Sequence, residues 1–342
     1  MTNPVVQCSG VWKIFGNNAK AALQAIREQG FSKSEILKKY GAVTAVADVS
    51  FSVAEGEIFC IMGLSGSGKS TLIRHINRLV EPTDGEIIVA GRNVSRLNNS
   101  QLRDLRSRSV GMVFQNMALL PHRSVQDNVA LSLELRGVGR AQRLQTAKEK
   151  LELVGLEEWA SRYPDELSGG MKQRVGLARA MAADPEILLM DEPFSALDPL
   201  IRRQLQQQFL ELAKLVKKTT VFITHDLDEA IRLGTHIAIM KDGRFVQVGT
   251  PEEIVTEPAD EYVADFVKGI SRLELVTARK IMTPIPNPSA TTHHNGATVL
   301  ATDKIGTIID LATHHSGDIT VMDDNRPVGT ISRRDLLVGI RG

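Results

Sequence analysis

The stretch Gly63-Leu64-Ser65-Gly66-Ser67-Gly68-Lys69-Ser70 constrains this chain more than any other. It follows G-x-x-x-x-G-K-[ST], the pattern of a loop that cradles phosphates. Its flanks agree. Ile58-Phe59-Cys60-Ile61-Met62 is an apolar run of strand character, and after the loop Leu72, Ile73, Ile76, Leu79 and Val80 recur at helical spacing. A glycine-rich turn between a buried strand and a helix N-terminus aims backbone N–H groups at one point, and the helix dipole adds positive potential there. In such a loop Lys69 reaches the β- and γ-phosphates of a nucleotide, and the Ser70 hydroxyl takes Mg²⁺. The loop by itself announces only a nucleotide phosphate.

Strand and helix patterns alternate around it. Residues 5–11 read as a first strand that runs on to Trp12-Lys13-Ile14-Phe15-Gly16. Residues 17–39 then break the β pattern as a pair of short helices with a turn at Gly30, and the pattern resumes over residues 45–53. Pro82-Thr83-Asp84-Gly85 reads as a turn before another strand at residues 87–90. Residues 110–114 form an apolar strand that ends at Gln115, and residues 116–180 are charged and mainly helical. Ile187-Leu188-Leu189-Met190 and Val221-Phe222-Ile223-Thr224 are short apolar or β-branched runs, as expected of buried parallel strands, with an amphipathic helix over residues 200–218 between them. The alternation predicts an α/β fold with a mainly parallel, helix-covered sheet. Ligands then gather at the carboxyl ends of the strands.

Polar residues stand at those ends. Asp191-Glu192 closes the run at 187–190, the position of an acidic Mg²⁺ ligand in a phosphate-loop protein. Glu192 is then placed to accept a proton from a water attacking the γ-phosphorus. His225 ends the next strand.

Composition narrows the partners. A formal net charge of +1 offers no basic field for nucleic acid. The two cysteines, Cys8 and Cys60, lie far apart in strand-like runs, which predicts buried thiols and a reducing compartment. No apolar run approaches the roughly 18 residues that cross a bilayer. Met1-Thr2-Asn3-Pro4 begins no signal peptide, so the expected place is the cytosol, or a membrane surface to which a partner holds the chain. The length of 342 residues fits about two domains.

Leu167-Ser168-Gly169-Gly170-Met171-Lys172-Gln173 is the most specific stretch. It resembles the LSGGQ-like signature of the ATP-binding subunits of ABC transporters, departing at Met171. The resemblance implies that Ser168, Gly169 and Gly170 open a helix onto the ATP of an opposing subunit, giving a head-to-tail homodimer with two ATP molecules at its interface. It further implies that Gln115 is the Q-loop glutamine, between Mg²⁺ and the transmembrane partner, and that Ser195-Ala196-Leu197-Asp198 is the D-loop that crosses the dimer. In cis, the ATP site would comprise Gly63, Ser65, Gly66, Ser67, Gly68, Lys69, Ser70 and Thr71, with Ser70, Gln115 and Asp191 on Mg²⁺ and Glu192, His225 and Lys69 catalytic. For the aromatic that stacks on adenine there are two candidates, Phe15 and Tyr40, and Phe15 is favoured.

A narrower resemblance covers residues 5–270. The helical insertion at 17–39, Tyr163-Pro164-Asp165-Glu166-Leu167, Phe194-Ser195-Ala196-Leu197-Asp198-Pro199-Leu200-Ile201-Arg202 and His225-Asp226-Leu227-Asp228-Glu229-Ala230 are similar to the glycine betaine/proline betaine uptake ATPases. The implied function is ATP hydrolysis that drives a membrane permease, and indirectly a substrate-binding protein, to import glycine betaine, proline betaine or choline. Another small polar solute, or a soluble ABC ATPase without a transport role, is the alternative. The implied location is peripheral, on the cytoplasmic face of the cell membrane. Thr283-Pro284-Ile285-Pro286-Asn287-Pro288 reads as a linker, and residues 276–342 as a small α+β regulatory domain. Arg326-Pro327-Val328-Gly329-Thr330-Ile331-Ser332-Arg333-Arg334-Asp335-Leu336-Leu337 resembles the end of a CBS motif, which implies an adenine nucleotide held near Ser332 and Asp335.

Overall fold

The computed structural model describes residues 4–216, 218–285, 296–315 and 317–341, so the Pro286-Asn287-Pro288 part of the expected linker lies outside the described residues. Contacts divide the chain into two units, Met1–Val248 and Gly249–Gly342. The boundary falls before residue 270, the end of the stretch that resembles the uptake ATPases. The reason is visible in the short helix that follows Gly249: its Glu252 carboxylate accepts from the N–H and hydroxyl of Thr277, at 2.6 and 2.8 Å, and so belongs with the later residues.

The first unit begins with strand β1 (Val6–Phe15), helices α1 (Ala19–Gln29) and α2 (Lys33–Tyr40), and strand β2 (Val43–Val53). The helical insertion is where the sequence puts it. Gly30 ends α1 with a left-handed φ of 68°, and Ser32 and Glu35 close a capping box at the start of α2. Ala22, Leu23 and Ile36 pack with Trp12 and Ile14 in a small core of their own. Next come β3 (Ile58–Met62), α3 (Lys69–Ile76), β4 (Asp84–Val89), β5 (Arg92–Asn93), α4 (Asn99–Arg108) and β6 (Val110–Val113). The helical subdomain follows as α5 (Val125–Leu135), α6 (Arg140–Leu153) and α7 (Gly169–Ala182). The unit closes with β7 (Ile187–Asp191), α8 (Pro199–Val216), β8 (Thr219–Thr224), α9 (Leu227–Leu233), β9 (His236–Lys241) and β10 (Arg244–Gly249).

Its strands form two sheets rather than one. The six-stranded sheet has the order β10-β9-β3-β8-β7-β6, and β9, β3, β8, β7 and β6 run parallel. The four-stranded sheet β2-β1-β4-β5 is antiparallel. Asp84-Gly85, expected in a turn, begins β4 instead. Gly85 lies so close to Gly10 that a Cβ would stand 2.4 Å from its carbonyl oxygen, and only glycine lets the two strands cross there. A shared core fills the space between the sheets. Val6, Val46, Val49 and Ile87 from one meet Ile61, Leu189, Val221 and Ile223 from the other, with Leu72 and Ile76 of α3. Burying one such side chain contributes roughly 1.5–3 kcal/mol.

The second unit holds α10 (Pro251–Thr256), α11 (Glu261–Val267), α12 (Ala278–Ile281), β11 (Thr283–Pro284), β12 (Thr298–Leu300), α13 (Ile305–His314), β13 (Ile319–Asp323), β14 (Arg326–Ile331) and α14 (Arg333–Arg341). Its sheet has the order β11-β14-β13-β12. Thr283-Pro284, expected in a linker, pairs with Thr330 and Gly329 as an edge strand, a place that tolerates proline. Asp324 and Asn325, both at positive φ, make the tight turn from β13 to β14. Ile305, Ile308, Ile319, Val321, Ile331 and Leu336 fill the core.

Candidate functional site: a phosphate loop and the strand ends beside it

Parallel neighbours end on the same edge of a sheet. β3 delivers the P-loop there, β7 delivers Asp191 and Glu192, β8 delivers His225, and β6 leads through Phe114 to Gln115. The loop's shape depends on glycine at two positions. A Cβ at Gly63, where φ is 153°, would lie 2.1 Å from the Met240 carbonyl oxygen. A Cβ at Gly68, where φ is 108°, would lie 2.2 Å from that of Ala45. Gly66 also takes a left-handed φ, of 79°. The Asp242-Gly243 turn braces the loop from behind. Gly243 N–H donates to the Ser67 carbonyl at 2.9 Å, and its own carbonyl accepts from Ala47 at 2.8 Å.

Lys69 opens α3 with only 6% of its surface exposed, and its ammonium donates to the carbonyls of Gly63 and Leu64 at 2.8 and 3.0 Å. Burial pushes its pKa down, against the pull of Glu192 and Asp191. Ser65 and Gly66 are exposed at the lip of the loop, Ser67 is buried and Thr71 half-buried. The Ser70 hydroxyl donates to Asp191 Oδ1 at 2.9 Å. The other Asp191 oxygen takes Arg74 at 3.1 Å, and this carboxylate is fully buried. Arg74 was not singled out from the sequence. It lies four residues past Ser70 on the same helix, so the i,i+4 rule puts both on the face that looks at β7.

Glu192 sits in a left-handed conformation with φ 50°, unusual for a side-chain-bearing residue and costing about 1 kcal/mol. Its N–H donates to the Ile223 carbonyl at 3.1 Å, which ties the end of β7 to β8. Its carboxylate accepts from Gln115 Nε2 at 3.3 Å and lies 3.4 Å from His225 Nδ1. Lys69, Ser70, Gln115, Asp191, Glu192 and His225 thus lie together at one edge of the sheet. The carbonyl of Glu192 accepts from Gln173 Nε2 at 2.9 Å, and Gln173 Oε1 accepts from Ala196 N–H at 3.1 Å. Gln173 is 1% exposed, a burial that the signature pattern does not disclose.

The remaining residues lie elsewhere. Ser168 caps α7, its hydroxyl accepting from Met171 N–H at 3.3 Å, and is exposed with Gly169. Among the described residues no hydrogen bond runs from Ser168, Gly169 or Gly170 to the P-loop. Asp198 is exposed and accepts from Ile201 N–H at 3.1 Å. Phe15 ends β1 with 44% of its surface exposed and Lys13 Nζ 4.9 Å from its ring centre, whereas Tyr40 is part-buried against the core of the insertion. In the second unit Asp335 Oδ2 accepts from the N–H and the hydroxyl of Ser332, at 2.9 and 2.7 Å, so the two residues cap α14 together.

The model of the ABC transporter family matches residues 46–195. The glycine betaine/carnitine transport ATP-binding protein GbuA of Listeria monocytogenes is 54% identical over 270 residues, 79% of this chain and 68% of that protein. The chain belongs to the ATP-binding proteins of ABC transporters. The trimethylamine N-oxide transport system ATP-binding protein TmoW of Ruegeria pomeroyi is 45% identical over 338 residues, 98% of this chain and 97% of that protein. Among solved structures, a dimer of the ATP-binding cassette MJ0796 in a post-hydrolysis state, bound to ADP and Pi, matches with TM-score 0.62 and 31% identity over 72% of this chain and 98% of that one. This ABC ATPase therefore has the P-loop fold of such cassettes, with a second unit beyond it. Among the described residues no helix is long and apolar enough to cross a membrane.

Proposed function

We propose that this ABC ATPase hydrolyses ATP to energise a separate membrane permease that imports a methylated compatible solute: glycine betaine, proline betaine or choline. The observation that carries the chemistry is the meeting of Lys69, Ser70, Asp191, Glu192 and His225 at one sheet edge, with Ser70 2.9 Å from Asp191 and His225 3.4 Å from Glu192. Ser70 Oγ, Asp191 and Gln115 are hard oxygen donors that fit Mg²⁺, which when bound neutralises charge on the β- and γ-phosphates. Lys69 leaves the carbonyls of its own loop to pair with those phosphates. Glu192 is the proton acceptor for the attacking water. His225 orients that carboxylate and, with Lys69, holds the negative charge that grows on the γ-phosphoryl oxygens. Phe15, the exposed candidate, stacks on adenine.

Ser168, Gly169 and Gly170 stand apart from the P-loop of their own chain and serve the ATP of a second copy. Asp198, exposed on the intervening loop, faces that copy. Mg·ATP binding closes the homodimer, and hydrolysis reopens it. The permease, with a substrate-binding protein beyond it, takes up this motion, and the ATPase sits peripherally on the cytoplasmic face of the membrane. The second unit is a regulatory domain of CBS type that takes an adenine nucleotide near Ser332 and Asp335. The 54% identity to a betaine/carnitine protein supports the cargo class. The near-complete overlap with a trimethylamine N-oxide protein, 97% of its length, favours that solute as a second reading. Uptake of radiolabelled glycine betaine and trimethylamine N-oxide by a strain lacking this chain, with and without a plasmid-borne copy, tests the assignment. Restored betaine uptake is expected. Restored trimethylamine N-oxide uptake alone selects the second reading, and restoration of neither contradicts both.

A further inference from the structure

We infer that Gln173 is a positioning residue that links the two ATP sites of the dimer through a single chain, an inference that rests on the function proposed above. Its carboxamide spans a gap in the backbone. The Nε2 end donates to the carbonyl of Glu192 at 2.9 Å and the Oε1 end accepts from the N–H of Ala196 at 3.1 Å. That one side chain therefore holds both ends of the turn Glu192-Pro193-Phe194-Ser195-Ala196. The turn needs holding, because Glu192 adopts a left-handed backbone of φ 50° that an L-residue does not keep unaided. The hydroxyl of Ser195 adds a third bond to the same carbonyl at 3.1 Å. With 1% exposure, the Gln173 side chain is held out of water, so deleting its amide removes the one side chain that joins Glu192 to Ala196.

Gln173 sits within the first turns of α7, whose opening residues are Ser168, Gly169 and Gly170. A Cβ on Gly170 would lie 3.3 Å from Leu197, so the signature turn packs directly on the loop that Gln173 staples. The far half of the same helix carries Arg179, which donates to the carbonyls of Ala118 and Met117 at 2.6 and 2.5 Å. Those two residues follow Gln115 and take left-handed φ values of 46° and 52°. One rigid helix therefore grips two strained turns, one bearing Glu192 and the other adjoining Gln115. Ser168 serves the ATP of the opposing copy, while Glu192 and Gln115 serve the ATP of their own. A displacement of α7 on engaging the foreign ATP is transmitted by Gln173 to the carboxylate that acts on the resident one.

The test uses the purified full-length chain, with Gln173→Leu, which removes both bonds at similar volume, and Gln173→Asn, which keeps an amide too short to span 192 and 196. Binding of a fluorescent ATP analogue should be unchanged in both. Steady-state kcat should fall about 10- to 100-fold, the effect of misplacing a catalytic group by an ångström, with the loss in kcat rather than KM. The Hill coefficient for ATP should fall from above unity to unity. A wild-type kcat and Hill coefficient in either variant overturns the inference. So does a wild-type enzyme without cooperativity, and so does loss of analogue binding in both variants, which would make Gln173 a structural residue only. Glu192→Gln in the same assay separates the layers: normal turnover there overturns the proposed chemistry itself.

Discussion

His75 shows what a single buried group does to this fold. It lies on α3, three residues past Leu72, fully buried. Its Nδ1 is 2.6 Å from the carbonyl oxygen of Val80, which only accepts, so Nδ1 carries the proton. Nε2 is buried with no partner, and the ring is neutral. Burial pushes its pKa down from 6.5 to about 4, outweighing the bond to Val80. The unfolded chain therefore binds the proton more tightly, and stability falls as pH drops from 6.5 towards 4. The slope from this residue is up to about 1.4 kcal/mol per pH unit, or about 2 kcal/mol between pH 6.5 and 5. His75→Gln keeps a donor for Val80 and cannot titrate. Urea unfolding at both pH values should show a smaller loss in the variant than in the wild type, and equal losses would show that His75 is not the group responsible. At the same scale Gly63 and Gly68 were legible as motif positions. The reason no other residue fits, the carbonyls of Met240 and Ala45 about 2 Å from a would-be Cβ, comes from strands distant in sequence.

Local sequence specifies the caps of the helices well. Ser332 and Asp335 form a capping box at the start of α14, with Asp335 N–H 3.2 Å from the Ser332 hydroxyl. Ser332→Ala should cost about 1 kcal/mol and speed amide exchange over Arg333–Arg341 roughly fivefold, measured by mass spectrometry. Unchanged exchange would mean that the box does not hold the helix. The capping role also shows why a motif match is not a site. The residues that resemble a ribose-binding pair already bond to each other, and their binding of a nucleotide stands as a proposal. Strands β3, β7 and β8 were legible because each is a short apolar run, closed by the glycine-rich loop in β3 and by polar residues in β7 and β8, and the chemistry stands at those closures. The antiparallel sheet was not. Its β1 and β2 are separated by α1 and α2, so their pairing is long-range and no turn signal announces it. Gln173 escaped for the same reason. Its partners, Glu192 and Ala196, lie 19 and 23 residues away, beyond any helical or strand period.

Over the whole molecule, the central claim is that ATP is the removable link of a dimer. Each chain holds a P-loop edge with Lys69, Asp191, Glu192 and His225, and separately a Ser168–Gly170 turn that, among the described residues, makes no hydrogen bond to that P-loop. In the proposed dimer the two halves meet between copies. Hydrolysis at Glu192 is then the event that lets the dimer open, so blocking it should leave the dimer closed. Light scattering on the full-length Glu192→Gln chain, with and without Mg·ATP, measures this most directly. The account predicts a monomer without nucleotide, a stable dimer holding two ATP molecules with Mg·ATP, and no phosphate release. A variant that stays monomeric with ATP bound, or that hydrolyses ATP at the wild-type rate, would contradict it.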